Sequence, residues 1–143
     1  MEQGAKELLL KDLCARLPYK VKCHHESYSE VYTLYAIDSE HLAVNISQNN
    51  SEFDNSWWNS IEQIKPYLLP MSSMSEEQKK SCNYADDLDL YLLDVYLEED
   101  HYNKTKIPAV IYHLVDWCNR NHFDYRGLIS QGLAIDATNL NIY

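Results

Sequence analysis

The stretch Val31-Tyr32-Thr33-Leu34-Tyr35-Ala36-Ile37-Asp38-Ser39-Glu40-His41-Leu42-Ala43-Val44-Asn45-Ile46 decides how the chain reads. Two runs rich in β-branched and aromatic residues flank Asp38-Ser39-Glu40, a short polar connector of the kind that joins antiparallel strands. A third strand-like run, Tyr19-Lys20-Val21-Lys22-Cys23-His24, stands just before them, so residues 19–47 predict a small three-stranded antiparallel sheet. Immediately N-terminal, residues 5–17 carry Leu8, Leu9, Leu13 and Leu17 at helical spacing, with Lys6, Glu7, Lys11, Asp12 and Arg16 around them and Pro18 ending the pattern. The reading is an amphipathic helix covered by the sheet.

Downstream, residues 48–74 read as a loop. Its first part is polar yet holds Phe53 and the adjacent Trp57 and Trp58, an aromatic contact set that either folds back onto the core or forms an exposed patch. Its second part, Ile61 and Ile64 through Met71, is extended and apolar and framed by Pro66 and Pro70. From residue 75 to 132 the pattern is mostly helical. Ser75 and Gln78 form a capping box ahead of Lys79 and Lys80. Residues 84–100 read as a helix with two apolar faces, Leu88, Tyr91, Leu92 and Val95 against Leu90, Leu93 and Leu97, separated by acidic ribbons. Pro108 suits the first turn of a helix running to about residue 119, which Val110, Ile111, Leu114, Val115, Trp117 and Cys118 make the most buried of the chain. Asp124 can cap a last short helix over 125–131, closed by Gly132, and 133–143 reads as a peripheral tail. The expectation is a single α+β domain over residues 1–143, with the helix at 1–17 and the sheet at 19–47.

Composition narrows the function. The chain has 143 residues, 45% of them hydrophobic, which suits a folded domain, and 22 acidic residues against 12 basic give a net charge of -10. That charge repels phosphate, so direct nucleic-acid or anionic-membrane binding is not expected. No apolar run approaches the ~20 residues of a membrane span. Leu8-Leu9-Leu10, followed at once by Lys11 and Asp12, is too short for an export signal, so a cytoplasmic location is expected. Cys14, Cys23, Cys82 and Cys118 contain no C-x-x-C pair and read as buried thiols. In Cys23-His24-His25 a strand would put two ligand types on one face, too few for a metal, and no metal or cofactor is expected. With only Gly4, Gly127 and Gly132, no phosphate loop can be written. His122, Asp124 and Arg126 form the best catalytic-looking group, but Asp124 is explained as a cap and Arg126 as its partner or that of Asp116. The chain reads as noncatalytic.

Four phrases resemble a family of small proteins of unassigned activity encoded by phages and prophages of gut anaerobes. They are Lys11-Asp12-Leu13-Cys14-Ala15-Arg16-Leu17-Pro18-Tyr19, Ile64-Lys65-Pro66-Tyr67-Leu68-Leu69-Pro70-Met71-Ser72-Ser73-Met74-Ser75, Asp116-Trp117-Cys118-Asn119, and His122-Phe123-Asp124-Tyr125-Arg126-Gly127-Leu128-Ile129 leading to Gly132-Leu133-Ala134. The match departs at Leu69, where the family carries a second arginine, and at the C-terminal end, while residues 83–106 have no counterpart. The resemblance implies a phage-like origin and supplies no mechanism.

Charge completes the functional reading. Asp86, Asp87, Asp89, Asp94, Glu98, Glu99 and Asp100 form a dense acidic surface that would draw a basic partner. Combined with a phage-like origin, this points to an accessory protein that binds a basic host protein, such as a defence nuclease, by imitating spaced phosphates. The second apolar face of residues 84–100 would serve a partner or another copy of the chain. The alternative is a pocket for a small ligand such as a nucleotide signal, framed by Trp57, Trp58 and several of the 12 tyrosines.

Overall fold

The computed structural model describes residues 1–48, 56–82, 93, 96 and 109–143. It opens with helix α1 (Gln3–Arg16), followed through a 3-10 turn at Leu17–Tyr19 by β1 (Lys22–His25), β2 (Tyr28–Asp38) and β3 (Ala43–Ser47). β1 pairs antiparallel with β2, and β2 with β3. Asp38 shapes the β2–β3 connection. One of its oxygens accepts from the Glu40 and His41 N–H groups at 3.0 and 3.1 Å, and the other meets His41 Nδ1 at 2.8 Å.

The sheet does not stop there. β4 (Ser56–Ser60) adds antiparallel to β3 and β5 (Ile64–Pro70) adds antiparallel to β1, while β6 (Phe123–Asp124) and β7 (Ile135–Asp136) run parallel to β5. Seven strands form one mixed sheet. The α+β class therefore holds, and the small three-stranded sheet is corrected.

The stretch 48–74 is also not a loop in its described part, since it supplies β4 and β5. Polar composition hid β4, and two prolines argued against β5 as a paired strand. The register shows why Pro66 is tolerated. Glu26 N–H donates to the Gln63 carbonyl at 2.9 Å, which makes Cys23 and Pro66 a pair that exchanges no hydrogen bonds. The absent N–H of Pro66 falls on the edge where β7 pairs only from Tyr67 onward.

The mostly helical C-terminal half is corrected as well. It contains the short α2 (Glu76–Ser81) and α3 (Ala109–Arg120). Of residues 84–100 only Leu93 and Tyr96 are described, both helical, and the rest of that expected helix lies outside the described residues. α2 starts on the expected capping box, with Ser75 Oγ accepting from Gln78 N–H at 3.2 Å and Gln78 Oε1 accepting from Ser75 N–H at 2.8 Å. α3 buries Ile111, Leu114, Val115, Cys118 and Asn119. The expected helix at 125–131 is instead a run of turns. Gly127 sits at φ 71°, a left-handed conformation that no right-handed helix can contain. Gly132, also at φ 71°, closes the segment as its sequence position suggested.

Apolar side chains gather in two clusters. The larger lies between α1 and the sheet and includes Leu9, Leu13, Cys23, Leu34, Val44, Ile46, Ile64 and Leu68. The second includes Met74, Cys82, Leu93, Ile111, Leu114, Cys118 and Phe123. The tail, expected to be peripheral, ties the sheet instead. Beyond β7, the Tyr143 hydroxyl donates to the Tyr67 carbonyl at 2.8 Å and accepts from the Lys22 N–H at 3.1 Å. Tyr143→Phe should therefore lower the unfolding free energy by about 1–3 kcal/mol. An unchanged urea midpoint would show that this tie is idle.

Candidate functional site

Asp12 and Arg16 stand one helical turn apart in α1, on the same stripe as Leu9 and Leu13, and all four are 0% exposed. Arg16 Nε donates to Asp12 Oδ2 at 2.7 Å and Nη2 donates to Asp12 Oδ1 at 3.0 Å, a bidentate pair. The remaining donors reach across the molecule. Arg16 Nη1 donates to the Cys118 carbonyl at 3.2 Å, in the last turn of α3, and Nη2 to the Phe123 carbonyl of β6 at 2.8 Å. Carbonyls in the last turn of a helix lack partners within it, so an arginine from another helix satisfies α3 here.

Arg126 brings a second cation to the same carboxylate, with Nε 3.3 Å from Asp12 Oδ1. Its guanidinium lies 4.6 Å from the centre of the Tyr125 ring, and that of Arg16 lies 5.6 Å from it. Burial pushes the Tyr125 hydroxyl up to about 12. Among the described residues, His122 Nδ1 is buried without a hydrogen-bond partner, and Arg126 Nε is buried with the Asp12 carboxylate at 3.3 Å as its counter-charge. A polar interior thus joins α1, the end of α3 and the turns after β6.

The trio His122, Asp124 and Arg126 does not converge. Both Asp124 oxygens are taken by backbone, from Leu128 N–H at 2.9 Å and Ile129 N–H at 2.8 Å. Its capping role holds, although it caps turns. Arg126 faces Asp12 and neither Asp124 nor Asp116, which pairs with Arg120 at 2.9 Å. His122 stacks on Tyr143, with ring centroids 4.0 Å apart and 13° between planes. Burial, reinforced by the positive charges of Arg16 and Lys22, lowers His122 to about 4.

The aromatic reading divides in two. Trp57 and Trp58 are neighbours on a strand and point to opposite faces. Trp57 packs against the main core, edge-on to Tyr32 at 5.4 Å and to Tyr28 at 6.1 Å, and its Nε1 donates to Asn59 Oδ1 at 3.0 Å. Trp58 is 55% exposed. The two indoles therefore do not line one pocket. His25 extends the Trp57 group, lying 4.7 Å from Tyr28. Its Nδ1 accepts from Ser27 N–H at 3.0 Å, which leaves Nε2 to donate to Asn59 Oδ1 at 3.0 Å. A separate cleft of about 410 Å3 is lined by His24, Glu26, Glu62, Gln63, Lys65 and Ile135, and contains no tryptophan.

The other expected site residues are placed as follows. Asp86, Asp87, Asp89, Asp94, Glu98, Glu99 and Asp100 lie outside the described residues, as does Phe53. Cys23 and His25 share a face as expected, but both are buried, whereas Cys14 is exposed. Among the described residues no group of three or more His, Cys, Asp or Glu is placed to hold a metal. No described helix is long and apolar enough to cross a membrane.

Sequence reasoning set Asp12 and Arg16 around the apolar stripe. The signal for the opposite was present, because residues 9, 12, 13 and 16 fall on one helical face and an opposite-charge pair at i, i+4 can be buried as a unit. Two measurements check this site. Arg16→Met should destabilise by about 3–5 kcal/mol by leaving Asp12 buried and less compensated, and the Asp12→Leu/Arg16→Met double variant should lose less than the sum of its singles. Additive losses would show that the two are not coupled. For His122 the folded value lies below the unfolded 6.5, so stability is complete above pH 6.5 and drains as pH falls toward 4, by about 3 kcal/mol in all. His122→Phe, which keeps a ring on Tyr143, should flatten this part of the stability profile, and identical slopes would refute the assignment.

No protein-family model, curated protein or solved structure matches the chain.

Proposed function

We propose that this chain is a noncatalytic, cytoplasmic accessory protein of phage-like origin that binds a basic host protein through an acidic, nucleic-acid-like surface. The carrying observation is how charge is distributed. The described residues include 13 acidic and 10 basic side chains, and many of their carboxylates have structural partners: Asp12 with Arg16, Asp116 with Arg120, Glu76 with Lys79, Glu62 with Lys6, and Asp124 with backbone. The other 31 residues hold nine acidic side chains and two basic ones. Seven of those acids fall within 86–100, where no Lys or Arg intervenes. A like-charged run of this density raises the association rate with cationic surfaces and resembles the spacing of phosphates more than a structural pairing pattern.

The noncatalytic part of the proposal rests on the interior. The charged groups around Arg16 are used in holding elements together, and Cys118 is a poor nucleophile because burial, with the nearby Cys82, pushes its thiol up to about 12. A host protein with a nucleic-acid groove is the partner whose chemistry fits.

The test is capture from host lysate by the full-length tagged chain at about 50 and about 300 mM salt, followed by competition with duplex DNA. A basic protein should be retained at low salt, released at the higher salt, and displaced by the DNA. It should also be lost from a variant in which Asp86, Asp87, Asp89, Asp94 and Asp100 are Asn and Glu98 and Glu99 are Gln. Equal retention by both proteins at both salts, or no specific partner, would sink the proposal.

A further inference from the structure

The sequence has three methionines, Met1, Met71 and Met74, and the two internal ones each touch a cysteine. Cys82 Sγ lies 3.9 Å from Met74 Sδ, and Cys118 Sγ lies 3.9 Å from Met71 Sδ. The two sulfur pairs, from the turn after β5, the end of α2 and the last turn of α3, lie in the second apolar cluster with Ile111, Leu114 and Phe123, and the Cys82 and Cys118 thiols are near enough for one to raise the other electrostatically. Buried thiols and thioethers also pack as ordinary soft hydrophobes, so burial by itself assigns them nothing. The distances carry more. With metal–sulfur bonds of about 2.3 Å, sulfurs 3.9 Å apart subtend about 116° at the metal, between the tetrahedral and trigonal angles. Within each pair that requirement is met without rearrangement.

We propose that Cys82, Cys118, Met71 and Met74 form a buried binding site for a soft monovalent cation of the Cu(I) type. Thioether sulfur selects the ion, because it is a weak ligand for hard cations and a good one for Cu(I), and two of the four donors are thioethers. The apolar wall favours the lower charge and keeps water from the ion. Each thiol that binds does so as thiolate and releases its proton to solvent. Arg16, which donates to the Cys118 carbonyl at 3.2 Å, supplies a fixed positive charge beside the added thiolate. Cys118 is 0% exposed and Met74 5%, while Met71 is only partly buried, so the route for the ion runs past Met71.

The experiment is an anaerobic titration of the full-length protein, carrying Cys14→Ser to remove its exposed thiol, with Cu(I) against a chromogenic Cu(I) chelator. One equivalent should be withdrawn from the chelator, and X-ray absorption should show only sulfur at about 2.3 Å. Met71→Leu/Met74→Leu conserves volume and should keep the fold while weakening binding at least about tenfold, a loss that a mutated outer-shell partner already causes. Cys82→Ser/Cys118→Ser should remove the site. Unchanged affinity in the Met variant, nitrogen or oxygen ligands in the absorption spectrum, or copper retained by the Cys variant would each overturn the proposal. Circular dichroism of each variant separates loss of binding from loss of fold.

Discussion

A guanidinium withdrawn from water must have its donors answered, and Arg16 is the point on which the rest of this molecule turns. Its donors divide between a carboxylate of its own helix and two carbonyls more than 100 residues away, at Cys118 and Phe123. Such a group is either fully satisfied or strongly destabilising, because the interior offers no water as a substitute. The position of α1 on the sheet, the end of α3 and the start of β6 are therefore fixed by one side chain. Arg126 and Tyr125 complete the shell around it. Apolar packing on either side supplies the greater part of the burial, but it is directionless. The guanidinium fork adds the geometry that packing lacks.

This arrangement also shapes what the surface is available for. The described body pairs many of its own acids with nearby cations or backbone N–H groups, so a large share of the -10 net charge is left to the remaining segments. Within the described body the Asp12–Arg16 pair is dry, while Asp116–Arg120 and Glu76–Lys79 stand in solvent and contribute little to stability. The sulfur cluster is a third arrangement, in which polarizable atoms replace charges altogether.

How far the sequence was legible follows from these same forces. Helix α1, strands β1 to β3, the α2 capping box and the body of α3 rest on local patterns, namely periodicity, β-branching and caps, and each could be read. β4 was obscured because Ser56 and Asn59 gave a polar text around the indoles. β5 was obscured because Pro66 hides its harmlessness in a register that only the paired strands define. β6 and β7 are two residues each, too short for any periodicity. The turns at 125–131 mimic a helix until Gly127 adopts a positive φ, which its identity permits but does not demand. At the candidate site, the capping role of Asp124 was legible because it is local. The burial of Asp12 and Arg16 was not, since their partners Cys118, Phe123 and Arg126 are near only after folding. The meeting of Met71 with Cys118 is nonlocal in the same way, whereas Met74 and Cys82 stand eight residues apart.

The tie made by Tyr143 has a consequence for the order of events during synthesis. Its hydroxyl accepts from Lys22, 121 residues earlier, and β7 just before it lies along β5. A chain emerging from the N-terminal end can pair β1, β2 and β3 as soon as they are made, yet β5 gains its parallel neighbours only when β6 and β7 appear. Loop closure over such separations is slow compared with hairpin formation. Until then the outer edge of β5 has no parallel partner, and an unpaired strand edge is the feature of a partly made chain most open to aggregation.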